Sequence, residues 1–436
     1  MASEEEKQIY IKVLRDRYRR SKKGKKGIIL DEAVSVLKIS RKHAIRLFGG
    51  KGAGRPKKSG RNGRPGKYQD QDFKSGLKLC WRTMRYPCGR ILKEGLPIWL
   101  KFIEAEYGSF KLDVRAKLLS VSSATIDRIL KGYKVEKGKS FTRSTGFRDE
   151  IPIQENIWDI KIPGYIESDT VAHCGGSLAG EFVNTLTIVD IATLWTEARA
   201  VFGRGSNAVF DALKVIEAGL PFPILGYDAD NGGEVLNKAI LSYFREERIE
   251  QGRPPVQVTR SRAYKKNDNA HVEQRNDSIA RRYLGYERID FKELVPLINY
   301  YYSEIVCPLQ NHFFPTFKLK DKVRVKSRTR RIYDNPVTPY SRVMDSPHVP
   351  QDFKDRLLLQ HQKINPVQLV KLERSIRKQI DLALKNLRKG IQQEIILPES
   401  YITKAPFTDF NIQLKKSDKN TVVKQAGRYS FNPIAP

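Results

Sequence analysis

Apolar residues recur at helical spacing through the first part of the chain, and residues 1–48 are predicted to be helical. The stretch LDEAVSVLKISRKHAIRLFGG has the layout of two helices joined by a tight turn. Asp31 is expected to cap a first helix that runs through Lys38, and a second helix is expected from Arg41 to Phe48. This layout is that of a helix-turn-helix, and an ordinary small helical hairpin is the alternative.

The two helices of this motif divide their residues between a packed face and an outer face. The residues expected to pack between the helices are Ala33, Val34, Leu37, Ile45 and Phe48. The residues expected to face outward are Arg41, Lys42 and Arg46. A basic outer face is what a helix that enters a DNA groove requires.

A second stretch of helical spacing covers residues 72–134. Its core is expected to contain the aromatic residues Trp81, Trp99, Phe102 and Tyr107. The stretch ends in DVRAKLLSVSSATIDRILKGYK, another helix-turn-helix candidate in which Ser122 is the expected N-cap. Two such modules joined by a basic linker would suit a bipartite DNA site.

From Gly164 onward the pattern changes to strands. The runs GYIESDTVAH, EFVNTLTIVD and TLWTEARAVF are predicted strands, and the last two are close enough to pair as antiparallel neighbours. A helix is predicted from Asn207 to Ala218, followed by the strand FPILGYDAD. Further helical patterns cover Glu234 to Glu247 and Asn267 to Tyr283. This order predicts a mixed α/β sheet.

The C-terminal third begins with the sharply alternating run FKLKDKVRVKSRTRRIYD. One strand face would carry the basic residues Lys318, Lys320, Lys322, Arg324 and Lys326. Such a strand indicates a small β-module that follows DNA phosphates, although a solvated edge strand has the same pattern. Asn365-Pro366 then opens a long amphipathic helix that extends to about Lys389. That helix either pairs protomers or packs onto its own domain.

These elements predict a multidomain fold: all-α helix-turn-helix domains first, a central α/β core, and a small β-module with a long helix at the end. The predicted segments are a first DNA-binding domain (1–50), a basic linker (51–68), a second helical DNA-binding domain (69–135), a connector (136–163), the core (164–300), the basic β-module (301–350), the amphipathic helix (351–391) and an extended tail (392–436).

The charge of the chain is unevenly distributed. The formal net charge is +31 over 436 residues, yet residues 151–290 hold 16 Lys/Arg against 20 Asp/Glu, a net of −4. Because the whole chain carries +31 and residues 151–290 carry −4, the rest of the chain has a net charge of +35. Basic segments around an acidic centre indicate a metal-binding core held on a polyanion by its neighbours.

Other compositional features exclude several protein classes. No run approaches the roughly 18 apolar residues that a membrane span needs, and the N-terminus lacks the apolar core of a secretion signal. The four cysteines fit neither a disulfide framework nor a zinc pattern. The expected compartment is reducing and intracellular.

The linker KGAGRPKKSGRNGRPGK contains seven Lys/Arg, five Gly, two Pro and no acid. Such a segment cannot bury a core and is predicted to be flexible. Its two Gly-Arg-Pro triplets, at Arg55 and Arg64, are similar to AT-hooks, which place arginine in a narrow minor groove. A plain charged tether is the alternative, and both interpretations put the linker near DNA.

Three acidic residues occur in separate local contexts within the predicted core. Asp169 lies in the first strand, Asp230 ends the strand FPILGYDAD, and Glu273 lies in the late helical run. Carboxylates that arrive from two strand ends and a helix are what a divalent metal site for phosphodiester chemistry needs. Asp228 is an alternative to Asp230, and Asp277 is an alternative to Glu273.

The order of these elements and their acidic residues resembles the RNase H-like core of retroviral integrases and bacterial insertion-sequence transposases. The resemblance rests on Asp169, on DNGGE after the fourth strand and on NAHVEQRN in the late helix, and it covers roughly residues 160–290. It implies that Asp169, Asp230 and Glu273 bind two Mg²⁺ ions, for which Mn²⁺ would substitute. It further implies that one site both nicks DNA and joins its ends to a second duplex.

Other residues near these acids are candidates for supporting roles. Phosphate contacts are expected from the basic residues Lys265, Lys266, Arg275, Arg281 and Arg282. Support within the site is expected from His173, Asn231 and Asn269. Because strand side chains alternate, His173 shares a face with Asp169. It would either contact the scissile phosphate or form a structural hydrogen bond.

The resulting hypothesis is a transposase of the Asp-Asp-Glu (DDE) class. It would bind the ends of a mobile element in double-stranded DNA, cleave them with magnesium and transfer them into target DNA, as a homo-oligomer that holds two ends together. One alternative is a structure-selective nuclease of the same fold without strand transfer. Another is a DNA-binding regulator whose acidic core is inert.

Overall fold

The structure is a computed structural model of the 436-residue chain. It describes residues 4–49, 67–133, 160–203, 205–229, 235–260, 272, 275–325, 328–391, 395–398 and 401. The chain divides into two compact units, Met1–Asp70 and Gln71–Pro436. Within the described ranges, no helix combines the length and the apolar character that crossing a bilayer would require.

The first unit is a bundle of three helices: α1 (Glu4–Arg20), α2 (Lys23–Leu37) and α3 (Arg41–Phe48). Their shared core is made by the buried residues Leu14, Ile29, Leu30, Ala33, Ala44 and Phe48. Ser40 caps α3 by accepting a hydrogen bond from the His43 amide. The predicted pair of helices around residues 39–40 is therefore present.

Two details of the predicted motif are wrong. Because Ile29 and Leu30 belong to the core, α2 already begins at Lys23, and Asp31 lies inside the helix instead of capping it. Asp31 forms an ion pair with Arg41. Ile45 was expected between the helices but is 46% exposed, since α3 turns Ala44 and Phe48 toward the core.

The second unit opens with four helices: α4 (Gln71–Thr83), α5 (Gly89–Tyr107), α6 (Leu112–Ser120) and α7 (Ser123–Leu130). Ser122 caps α7 as predicted, by accepting from the Thr125 amide. Trp81 and Trp99 are buried, but Tyr107 is 48% exposed and does not belong to the core. The Trp99 indole donates to the Phe313 carbonyl over 2.9 Å, so this segment packs onto a later helix.

The sequence pattern predicts a mixed sheet of four strands, and the structure contains a mixed sheet of five. Its strands are β1 (Tyr165–Ala172), β2 (Val183–Asp190), β3 (Thr196–Phe202), β4 (Gly226–Ala229) and β5 (Gln257–Arg260). The order is β3-β2-β1-β4-β5, with β1, β2 and β3 antiparallel and with β4 and β5 parallel to β1. β1 is thus the central strand. The sequence did not predict β5, which has only four residues.

Helices cover both faces of the sheet. On one side lie α8 (Ser206–Gly219), α9 (Lys238–Ser242), a π-helix (Tyr243–Glu247) and α10 (Arg248–Glu250). On the other lie a π-helix (Asn276–Arg281), α11 (Arg282–Leu284), a 3₁₀ turn (Lys292–Leu294), α12 (Val295–Tyr300), a π-helix (Tyr301–Val306) and α13 (Cys307–Phe313). We call residues 275–284 the late helix. The run from Val295 to Phe313 continues through the boundary predicted at residue 300.

The C-terminal elements are the antiparallel hairpin of β6 (Leu319–Val325) and β7 (Arg328–Tyr333), then α14 (Pro339–Asp345), α15 (Gln351–Lys363) and α16 (Pro366–Leu387). Asn365 caps α16, as the sequence predicted. Its apolar stripe is buried through Leu369, Ile376 and Ile380, so the helix packs onto its own unit. Part of the predicted tail does the same, through Ile395, Leu397 and Tyr401.

Removing the charge of Glu217 should destabilise the second unit. Glu217 forms ion pairs with Arg248 and Arg253 and accepts a hydrogen bond from the Tyr243 hydroxyl over 2.6 Å. The Arg248 side chain is only 1% exposed, so Glu217→Gln leaves a buried cation without its counter-ion. Urea unfolding should show a loss of about 3–5 kcal/mol.

The matched control is Asp352→Asn, which breaks an ion pair to Arg356 between side chains that are 67% and 64% exposed. Because exposed pairs contribute little, that change should cost at most about 1 kcal/mol. Equal losses in the two variants would show that the Glu217 network is not needed for stability.

Candidate active site

Asp169 lies on β1, at the point where its parallel neighbour β4 ends. The last residues in register between the two strands are Ser168 and Ala229, one position before Asp169. On the other side of β1, Asp169 is in register with Thr187 of β2. The Asp169 carboxylate is half-buried, and its Oδ1 accepts from the Thr170 amide over 2.7 Å. Asp169 therefore lies one position beyond the end of the pairing between β1 and β4.

Val272 and two residues of the late helix form hydrogen bonds to β1. The Val272 amide donates to Glu167 Oε2 over 2.9 Å, and Asn276 Nδ2 donates to Asp169 Oδ2 over 2.7 Å. Arg281 Nη2 donates to the Ala172 carbonyl over 3.0 Å. Asn276 and Arg281 are five residues apart, which is the spacing of the i→i+5 hydrogen bonds in the π-helix that they bound. The π-helix therefore lets both side chains reach the same strand.

Two of the three predicted metal ligands, Asp230 and Glu273, lie outside the described residues. Asp230 directly follows Ala229, the last residue of β4, and Glu273 directly follows Val272. Over the described ranges, no group of three or more His, Cys, Asp or Glu side chains is arranged to hold a metal ion. The predicted trio therefore stays a prediction.

The alternative ligands are placed differently from one another. Asp228 is 4% exposed and accepts a hydrogen bond from the Thr259 hydroxyl over 2.6 Å. It is in register with Glu167, which is itself only 1% exposed. Asp277 is exposed, whereas its neighbour Asn276 turns toward β1. Asp228 is thus engaged inside the sheet, and Asp277 faces solvent.

Asn276 is a residue of the site that sequence reasoning missed. Its Nδ2 bonds Asp169, while its Oδ1 is buried and has no hydrogen-bond partner in the described structure. A buried amide oxygen without a donor is costly unless a cation or a donor reaches it. The signal was present in the sequence, because a residue three positions after Glu273 shares its side of a helix.

His173 has the structural role that the sequence left as one of two alternatives. The side chain is fully buried, and its Nε2 lies 2.9 Å from Thr185 Oγ1, which in turn lies 3.0 Å from the Tyr302 hydroxyl. Burial lowers the pKa of His173 to about 3, with repulsion from Arg281 and Arg377 as smaller causes. The imidazole is therefore neutral, buried and hydrogen-bonded within the fold.

The predicted DNA contacts whose side chains the structure describes differ in exposure. Arg41, Lys42 and Arg46 are exposed on α3, as expected. Arg275 is instead 8% exposed and donates to the Leu194 carbonyl over 3.4 Å, while Arg281 is half-buried at Ala172. Burial lowers the pKa of Arg275 to about 10. Its guanidinium therefore anchors the late helix to the β2–β3 turn and is not presented to DNA.

The remaining site predictions are not tested by the structure. Outside the described residues lie Arg55, Arg64, Asn231, Lys265, Lys266 and Asn269. Lys320, Lys322 and Arg324 belong to β6, but their side chains fall outside the described part of the structure.

Comparison with known proteins gives one relative of high similarity. No protein-family model matches the chain. The uncharacterized protein y4rM of Sinorhizobium fredii (strain NBRC 101917 / NGR234) is 36% identical over 339 residues, which cover 76% of this chain and 93% of that protein.

Among solved structures, the cryo-EM structure of the simian T-cell lymphotropic virus intasome in complex with PP2A regulatory subunit B56 gamma contains a similar chain. The match has a TM-score of 0.23 and 15% identity, and it covers 39% of this chain and 55% of that chain.

Acid should destabilise the fold through His173. An unfolded histidine binds a proton near pH 6.5, whereas burial lowers the pKa of His173 to about 3. Between these values the unfolded state binds the extra proton, so stability is present above about pH 6.5 and is lost as the pH falls below it. The free energy of unfolding should be measured with urea at about pH 7.5 and at about pH 5. Between these two pH values, His173→Gln should lose about 2 kcal/mol less of it than the wild type.

The comparison between two pH values removes any constant effect of the substitution. His312, whose pKa burial also lowers to about 3, contributes an acid loss of its own in both proteins. Identical pH dependence in the wild type and in His173→Gln would contradict the assignment of this proton to His173.

Proposed function

This chain belongs to the family of the uncharacterized protein y4rM of Sinorhizobium fredii, and we propose that it is a DNA transposase of the DDE class. It binds the ends of a mobile element, cleaves them and joins them to target DNA at one site in an RNase H-like core. The observation that carries the proposal is the 2.7 Å hydrogen bond between Asn276 and Asp169. This bond holds the late helix, which begins two residues after Glu273, against the central strand that carries Asp169.

Strand order and chain connectivity support a meeting of the three acids. Adjacent Cα atoms are about 3.8 Å apart, and neighbouring strands are about 4.8 Å apart. Asp230 follows Ala229, whose partner Ser168 precedes Asp169. Glu273 follows Val272, whose amide bonds Glu167 on the same strand. The backbone positions of the three carboxylates are therefore expected within one edge of the sheet.

The donor set around Asp169 fits a hard divalent cation. Carboxylate and amide oxygens are the ligands that Mg²⁺ accepts, and the buried Asn276 Oδ1 is an oxygen that has no donor in the described structure. Asp169, Asp230 and Glu273 would hold two Mg²⁺ ions, which Mn²⁺ would replace. When bound, such a pair activates an attacking oxygen and stabilises a leaving oxygen on phosphorus.

The protein's own residues supply the positioning of the site. Asn276 fixes one oxygen of Asp169, and the Thr170 amide fixes the other. Glu167 is buried and accepts a hydrogen bond from the Val272 amide. Its role in the proposal is to position the backbone next to Glu273, and it is not a metal ligand. A carboxylate with both oxygens oriented loses little freedom when its ligand arrives, which is how supporting residues raise metal affinity.

The distribution of charge supports double-stranded DNA as the partner. The segments outside residues 151–290 carry a net +35, and α3 exposes Arg41, Lys42 and Arg46 next to one another. Cations on flanking segments bind phosphates by counter-ion release and leave the acidic centre free for chemistry. Because a transposase must bring two ends together, the working form is proposed to be a homo-oligomer.

Replacing Asp169 by Asn should abolish cleavage and strand joining and leave DNA binding within about twofold of the wild type. The substitution removes one ligand charge but keeps the size of the side chain. A duplex that contains the element end, Mg²⁺ and a second duplex with labelled strands would report both nicked and joined products. The matched control is Asp277→Asn, because Asp277 is an exposed acid on the late helix.

The outcomes separate the three functional classes. Normal cutting by Asp169→Asn would sink the proposal. Cutting by the wild type without joined product would identify a nuclease, and binding without cutting would identify a regulator.

Replacing Asn276 by Ala should lower the cleavage rate by about 10–100-fold when Mg²⁺ is limiting, because loss of a supporting partner weakens the metal site. Raising the Mg²⁺ concentration should restore part of the rate, and DNA affinity should not change. Ser278→Ala is the matched control, since its hydroxyl donates to the Arg275 carbonyl within the late helix. An unchanged Mg²⁺ dependence would remove Asn276 from the site.

A further inference from the structure

The turn between α4 and α5 has an unusual backbone. Arg85 and Tyr86 have φ values of 58° and 60°, which lie in the left-handed region that residues other than glycine rarely adopt. The Tyr86 amide donates to the Trp81 carbonyl over 2.8 Å, and the Trp81 indole donates to the Pro87 carbonyl over 3.0 Å. Strain of this kind persists only where surrounding contacts fix the turn, and it is frequent at functional sites.

Two arginines from distant parts of the chain converge on this turn. Arg374 of α16 donates from Nη2 to the Arg82 carbonyl over 2.9 Å. Arg282 of α11 donates from Nη2 to the Arg85 carbonyl. The guanidinium groups of Arg282 and Arg374 therefore lie at this turn, and Arg82, Arg282 and Arg374, which come from three segments, are all exposed. We call these three residues the arginine surface.

The positive charge of this surface is not neutralised within the described chain. Arg85 is paired with Glu373, which is 2% exposed, so that acid is already used. In the described structure, no ion pair involves Arg82, Arg282 or Arg374. Each guanidinium has five N–H donors, and the contacts at the turn use a single nitrogen of Arg282 and of Arg374. Tyr86 adds an exposed ring and hydroxyl, at 54% exposure.

Holding like charges together costs free energy unless an anion approaches them. Arginine is the side chain best suited to phosphate, because its planar fork makes two parallel hydrogen bonds to the oxygens. Arg282 directly follows Arg281, whose Nη2 donates to the Ala172 carbonyl at the end of the strand that carries Asp169. This contact places the arginine surface near the candidate active site.

We propose that the arginine surface binds the phosphate backbone of double-stranded DNA beside the candidate active site. The inference rests on the proposed function, because it takes DNA as the substrate. It adds a contact surface that is independent of α3 and of the predicted linker. The strained turn positions Arg82, and the contacts to Arg82 and Arg85 position the other two arginines.

The test is the salt dependence of binding to a random-sequence duplex, measured by fluorescence anisotropy with the full chain. Each phosphate contact contributes about 0.9 to the slope of log K against log salt concentration. Arg82→Ala, Arg282→Ala and Arg374→Ala should each lower the slope by about that amount. Lys363→Ala, which removes an exposed cation from the end of α15, is the matched control and should leave the slope unchanged.

Arg82→Ala guards against loss of the fold, since the Arg82 side chain makes no hydrogen bond within the described residues and only its carbonyl holds Arg374. Slopes equal to that of Lys363→Ala in all three variants would overturn the inference, as would a wild type that binds no duplex. The proposed function fails by a different result, namely cutting by Asp169→Asn. Either idea can therefore fail while the other survives.

Discussion

The attachment of the late helix to β1 is the interaction on which the rest of the candidate site depends. Three polar contacts, at Glu167, Asp169 and Ala172, fix this part of the chain along one strand. They join residues more than 100 positions apart in sequence. Without them, Asp169 would be one acid on a strand, with nothing to bring the segment around Glu273 toward it.

The layer beneath the late helix explains why these contacts hold their positions. Ile279, Tyr283 and Leu284 are buried in a core that α12, α13 and α16 also build. Arg275, at the start of the same helix, is tied to the β2–β3 turn. Close-packed interiors resist small displacements, so the site is set on a rigid support. The π-helical turn from Asn276 to Arg281 adjusts the rotation of the helix to the strand.

The helices before the sheet are part of the same support. Trp99 of α5 bonds the end of α13, and Arg85 lies over the Tyr283 ring with 4.1 Å from its guanidinium carbon to the ring centroid. Movement of α4 or α5 would therefore be felt by the late helix through packed aromatic groups. The four helices α4 to α7 thus belong to the same compact unit as the sheet, and their predicted role in DNA binding stays a prediction. The apolar faces of α4 and α5 are buried against the rest of the second unit, and the charged residues of these helices lie outside.

The sequence by itself determined the local elements. The caps at Ser40, Ser122 and Asn365 depend on side chains that bond amides two or three residues away, and β1 lies within the first predicted strand. The element order and the position of Asp169 on a strand followed from the same local patterns. Only the tertiary structure decided that Arg275 is buried, that His173 bonds Thr185 and that Asn276 orients Asp169. These outcomes depend on which distant surfaces meet, because burial and hydrogen-bond partners are properties of the packed chain and leave no periodic trace in the sequence.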